Sequence, residues 1–93
     1  MLSHAEIVKL NKIARERKLR IIFKFKNYKY CLVLDGVIHA ESIDKKRVSW
    51  NKAFGSKIPS DVLTTYQLDK IIIKTSNEEK VLRDLNELKR MII

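Results

Sequence analysis

Between Leu19 and Leu34 the apolar residues recur at every second position, and this limits the fold more than any other feature of the chain. Leu19, Ile21, Phe23 and Phe25 share one face of a first strand. Tyr28, Tyr30, Leu32 and Leu34 share one face of a second. Lys26-Asn27 between them reads as a tight turn, with Asn27 able to take a positive φ. A two-residue turn would set Phe25 opposite Tyr28, Phe23 opposite Tyr30, Ile21 opposite Leu32 and Leu19 opposite Leu34. On the other face it would oppose Lys24 to Lys29, a like-charge pair costing about 0.2–1 kcal/mol that a bound phosphate would relieve. Asp35-Gly36 is a second hairpin signal and leads to a third strand at about Val37–Ser42.

Helical signals lie on both sides. Ser3-His4-Ala5-Glu6 is a capping box, followed by Ile7, Leu10, Ile13 and Ala14 at helical spacing, so a first helix is expected over about Ser3–Arg17. Ser42-Ile43-Asp44 offers N-caps for a second helix of about Asp44–Phe54, with Gly55 after it and Trp50 and Phe54 turned to the core. Pro59-Ser60-Asp61 starts a short helical turn, and Leu68–Thr75 reads as a buried fourth strand. Ser76-Asn77-Glu78-Glu79 is a second capping box, predicting a final helix with Val81, Leu85, Leu88 and Ile92 on one stripe. Its end, Met91-Ile92-Ile93, is expected to pack on the Ile71–Ile73 strand or to join a homodimer interface, so the chain is a monomer or a homodimer. The sum is a small single α+β domain over residues 1–93. It has an antiparallel meander (about 19–42) and a fourth strand (about 68–75), packed by N-terminal, middle and C-terminal helices.

The charge is lopsided. Of a net charge of +9, seven units fall in the first 30 residues, where nine Lys/Arg oppose only Glu6 and Glu16; residues 31–42 carry −2, residues 43–58 add +4, and the stretch from Pro59 onward is neutral. Such a field favours a polyanionic partner, nucleic acid first. The expected protein is a small basic nucleic-acid-binding protein that contacts the phosphate backbone of DNA or RNA. Its contacts would come from Lys9, Lys12 and Arg15 on the first helix, Arg20, the hairpin lysines Lys24, Lys26 and Lys29, and the cluster Lys45, Lys46, Arg47 and Lys52. Phe23, Phe25, Tyr28 and Tyr30 form either a base-stacking platform or core, and a small domain with few other large side chains favours core.

Two other classes compete. An inhibitor or adaptor of phage or mobile-element type would dock the basic face on an acidic surface of another protein; the abundance of Ile, Lys and Asn fits such AT-rich sources. A small metal-free ribonuclease of toxin type would use His4 and His39 as acid and base. Asp35 and Glu41 flank the third strand as carboxylates a nuclease metal would use, although the hairpin turn already accounts for Asp35. The α-β-β-β-α order, with Lys45-Lys46-Arg47-Val48 opening the second helix and Ala53 beyond, is similar to double-stranded-RNA-binding domains over about half the chain. That resemblance implies duplex contact through the lysine run. The glycine-rich approach of that motif is missing, and a further strand and helix follow.

Several classes fall away. Cys31 is the single cysteine, so no intrachain disulfide or thiolate zinc site forms, and a reducing, cytoplasmic setting is expected. With glycine only at positions 36 and 55, neither a P-loop nor a dinucleotide fingerprint is present, and no cofactor is expected. There is no apolar run long enough for a secretory signal or a membrane span, so no membrane partner is expected.

Overall fold

The computed structural model describes residues 2–92. The order is α1 (His4–Arg17), β1 (Arg20–Phe25), β2 (Tyr30–Leu34), β3 (Ile38–Ser42), β4 (Arg47–Val48), α2 (Trp50–Phe54), α3 (Pro59–Thr65), β5 (Leu68–Lys74), β6 (Glu79–Leu82) and α4 (Leu85–Ile92). The strands form one antiparallel sheet in the order β4-β3-β2-β1-β5-β6. The expected α+β domain, with its early meander and its later strand, is what the chain forms. No helix among the described residues is long and apolar enough to cross a membrane.

All four helices contribute to one core on one side of the sheet. Leu2, Ile7, Leu10 and Ala14 of the first segment, Ala53 and Phe54 of α2, Val62 of α3 and Leu88 of α4 pack with Ile21, Phe23, Leu32, Leu34, Ala40, Ile71 and Ile73. The aromatic residues belong to this core: Phe23, Phe25, Tyr30 and Phe54 are buried, and Tyr28, Trp50 and Tyr66 pack against them. Trp50 and Phe54 meet at 4.9 Å between ring centroids, as their helical spacing predicts.

The caps explain where α1 begins and how it is fixed. Ser3 and Glu6 form the reciprocal capping box, and Lys18 closes the helix in the left-handed region at φ 56°. Asn11 and Arg15 then clamp the second hairpin turn. The Gly36 amide donates to Asn11 Oδ1 at 3.0 Å, and Arg15 Nη2 donates to the Gly36 carbonyl at 2.7 Å.

Three expectations need correction. In the first hairpin Ile21 faces Leu34 and Phe23 faces Leu32, two residues away from the expected register. Lys26–Lys29 all belong to the loop, with Asn27 at φ 56°. A shift of two keeps every side chain on its expected face, so the core survives while the Lys24–Lys29 pair does not. The neighbour that opposes Lys24 is Lys70 on β5.

The second helix is shorter than expected and starts at Trp50, capped by Ser49, whose hydroxyl accepts from the Lys52 amide at 3.2 Å. Ser42 and Asp44 bond to each other instead of capping a helix, and Lys45 takes φ 67° to close a turn into β4. The last helix also starts late. Thr75 Oγ1 accepts from the Glu78 amide at 2.9 Å and turns the chain back, so Glu79–Leu82 becomes an edge strand on β5. The cap is supplied by Asp84, which accepts from the Glu87 amide at 2.9 Å. Val81 therefore lies on a strand, Leu88 is buried and Met91 is 41% exposed. Ile93 and the side chain of Ile92 lie outside the described residues.

Candidate nucleic-acid interface

Strand alternation sends half of each strand's residues away from the helices, and among the described residues no helix covers that second face. Its centre is a small apolar cluster of Ile22, Cys31, Val33 and Ile72. Register places Arg20 beside Lys74, Lys24 beside Lys70, Cys31 beside Glu41, Val33 beside His39, and Glu41 beside Arg47. The β3–β4 turn brings Ile43 and Lys45 over this surface, where they share a narrow crevice with Lys24, Glu41, Lys74 and Glu79. The crevice opens toward the first hairpin loop into a wider groove of about 490 Å³ bordered by Lys24, Lys29, Ile43, Asp69 and Lys70.

The charges on this face are unevenly distributed, with Asp69 and Glu79 the acids that stand among the lysines. At one end Arg20 Nη2 donates to Glu41 Oε2, and its Nε lies 3.5 Å from Asp35 Oδ2. His39 Nε2 lies 2.8 Å from the same Glu41 oxygen, and His39 Nδ1 lies 3.1 Å from the Val37 carbonyl. The acids of this end thus have basic partners close at hand. Elsewhere on the face Lys24, Lys45 and Lys70 form no ion pair among the described residues, and Lys74 meets Glu79 only at 4.0 Å. The Lys45 amine lies against that of Lys74. This contact, more than burial, lowers the Lys74 pKa, and Glu79 partly opposes the shift. Two ammonium groups held together in this way form a place where an anion is favourable.

Asp35, His39 and Glu41 bring possible metal-ligand atoms within 4.8 Å of one another. The Arg20 guanidinium already lies on both carboxylates, so a cation entering there would meet a fixed positive charge. Cys31 beneath the groove has its thiol pushed up by burial, with Lys24 opposing, so it is held in the unreactive thiol form.

The basic residues expected from sequence divide between two sides. Arg20, Lys24, Lys45 and Arg47 belong to the open face; Lys26 and Lys29 lie in the adjoining loop, and Lys46 in the turn. Lys9 and Lys12 are exposed on α1 and Lys52 on α2, in the helical layer, and Arg15 is engaged with Gly36. Lys45-Lys46-Arg47 is a turn and an edge strand, so the helix start that carried the likeness to double-stranded-RNA-binding domains is not present. His4 sits on α1 and His39 on the open face, so they form no pair.

Lys70 and Lys74 complete the open face and were not among the expected contacts, because their segment is neutral overall. Their signal was positional: in Leu68–Lys74 they alternate with the core residues Ile71 and Ile73. No family model, curated protein or solved structure matches this chain.

Proposed function

We propose that this protein binds nucleic acid through the uncovered sheet face, holding the phosphate backbone with Lys24, Lys70, Lys45 and Lys74, and with Lys26 and Lys29 at the loop. The observation that supports this is the uneven charge distribution. Asp35 and Glu41 are gathered around Arg20 and His39, and although Asp69 borders the groove and Glu79 lies 4.0 Å from Lys74, Lys24, Lys45 and Lys70 form no ion pair among the described residues and can meet an external anion. The aromatic rings pack in or against the helical core, with Phe25 and Tyr28 reaching only the groove's border, which favours backbone contact over base stacking.

The test is a binding titration with DNA and RNA at several salt concentrations. Affinity should fall with a log–log slope of about −0.9 for each duplex phosphate neutralised. The double variant Lys24→Glu/Lys70→Glu should lose most of its affinity. Lys9→Glu/Lys12→Glu, with the same charge change on the helical side, should lose much less. Equal losses would remove the open face from the function.

A second reading follows from Ile43 and Val81, which are 62% and 56% exposed on or beside the same face. Apolar side chains at the border of a basic groove suit an acidic protein surface. One stoichiometric partner retained after nuclease treatment, with no nucleic-acid affinity in the purified chain, would favour it.

A further inference from the structure

The narrow end of the groove holds more than a phosphate contact requires. Glu41 and His39 are only 8% and 7% exposed, yet they stand on a face whose centre is otherwise apolar. Replacing buried ionic groups with apolar residues of similar size is often neutral or stabilising, so their presence calls for another explanation. The bonding around Glu41 is one-sided. Arg20 and His39 both engage Oε2, while Oε1 receives no hydrogen bond from the described residues, and Glu41 is one of the residues that line the crevice. Arg20 opposes Lys74 in register, and Lys45 lies against Lys74. The Glu41 carboxylate, with one oxygen free of hydrogen bonds, and the amines of Lys45 and Lys74 therefore border the same small space with Glu79, and the Arg20 guanidinium stands beside it on Glu41.

We infer that this crevice cleaves RNA, with Glu41 accepting the proton of a 2′-hydroxyl and Lys74 giving one to the departing 5′-oxygen. The inference rests on the nucleic-acid reading above. The O2′–H proton passes to Glu41 Oε1, O2′ bonds to the adjacent phosphorus, and the P–O5′ bond breaks. Lys74 protonates O5′. The products are a 2′,3′-cyclic phosphate and a 5′-hydroxyl end, and proton exchange with water restores Glu41 and Lys74. Arg20 and Lys45 supply positive charge where the phosphorane becomes more negative. His39 is a positioning residue that holds Oε2 so that Oε1 faces the substrate. The lowered pKa of Lys74 makes its ammonium a better proton donor than an ordinary lysine.

The experiment uses the full chain with an end-labelled RNA, its 2′-O-methyl counterpart and the same sequence as DNA, all with chelator present. RNA should be cut to 2′,3′-cyclic phosphate ends, while the other two are bound and left intact. Glu41→Gln and, separately, Lys74→Gln should each reduce cleavage about 100-fold or more. Lys74 lies near an exposed edge strand, so its variant keeps the test valid if Glu41→Gln does not fold. RNA binding without cleavage would overturn this inference and leave the binding reading standing. Failure to bind any of the three would overturn both. Cleavage that survives in a folded Lys74→Gln protein would overturn the assignment.

Discussion

Among the described residues, one face of the six-stranded sheet is covered by four helices, and the other only by its own long side chains. The covered face is continuous and apolar, with Ile21, Phe23, Leu32, Leu34 and Ile71 fully buried. The open face has four buried apolar residues surrounded by lysine, arginine, histidine and carboxylate. The two sets alternate along the same strands, so the difference is one of partner rather than backbone. One set is satisfied within the chain, and the other is satisfied only in part. Stability should depend on the covered face and binding on the open one.

The strongest way to break this division is from the core. Phe23 is fully buried beneath the helices, and Phe23→Ala should cost about 3–5 kcal/mol, read as a lower denaturation midpoint. Ile72→Ala, the truncation to the same residue on the open face, should cost less, about 2 kcal/mol, because Ile72 keeps some exposure. A larger loss at Ile72 than at Phe23 would mean that the open face, not the helical one, holds the main core.

A second break tests whether the ionic cluster is structural. Arg20→Met leaves Glu41 and Asp35 without their guanidinium, and its stability should fall by about 2 kcal/mol at neutral pH, since Arg20 is partly exposed. Adding Glu41→Gln should recover part of that loss, because the most buried of the stranded charges is then removed. Purely additive losses in the double variant would show that the two side chains do not depend on each other.

The same division explains what was legible in the sequence. The covered face was readable because period-two alternation and the Ser3–Glu6 capping box are local signals that tertiary packing reinforced. A register error of two residues left the face assignment intact. The structure replaces the expected helix starts near Asp44 and Ser76 because Ser, Thr and Asp cap turns as readily as helices, and the choice fell to strand pairing with β3 and β5. The open site was mostly hidden. Its components, Arg20, His39, Glu41, Lys45, Lys70 and Lys74, come from separate segments and meet only through cross-strand register. Regional charge sums favoured Lys9 and Lys12, which the fold places among the helices.

A smaller effect sharpens how α1 is joined to the sheet. Gly36 has φ 103°, and a Cβ built there would sit 3.2 Å from Arg15 Cβ. Gly36→Ala should therefore cost about 1–3 kcal/mol through backbone strain, with some loss of the Arg15 and Asn11 bonds. Since Arg15 is assigned here to structure, nucleic-acid affinity of the folded variant should stay near that of the wild type. A selective loss of affinity would return Arg15 to the binding surface.

The smallest expected effect lies at the border of the two faces, at Tyr28. Its hydroxyl donates to the Ala53 carbonyl and its ring stacks on Tyr66 at 4.4 Å between centroids. Burial first, and then Tyr66, pushes the phenol up to about 12. The unfolded value is about 10, so the folded state prefers the neutral phenol. The resulting stabilisation is complete below about pH 10 and is lost as pH rises through about 12. At neutral pH Tyr28→Phe should cost about 1 kcal/mol, the worth of one hydrogen bond. Lysine deprotonation affects both proteins alike, so the wild-type advantage itself should shrink across that alkaline window. An advantage that stays constant there would mean the phenol is not held neutral by the fold, and that Tyr28 belongs with the wet groove beside it rather than with the core.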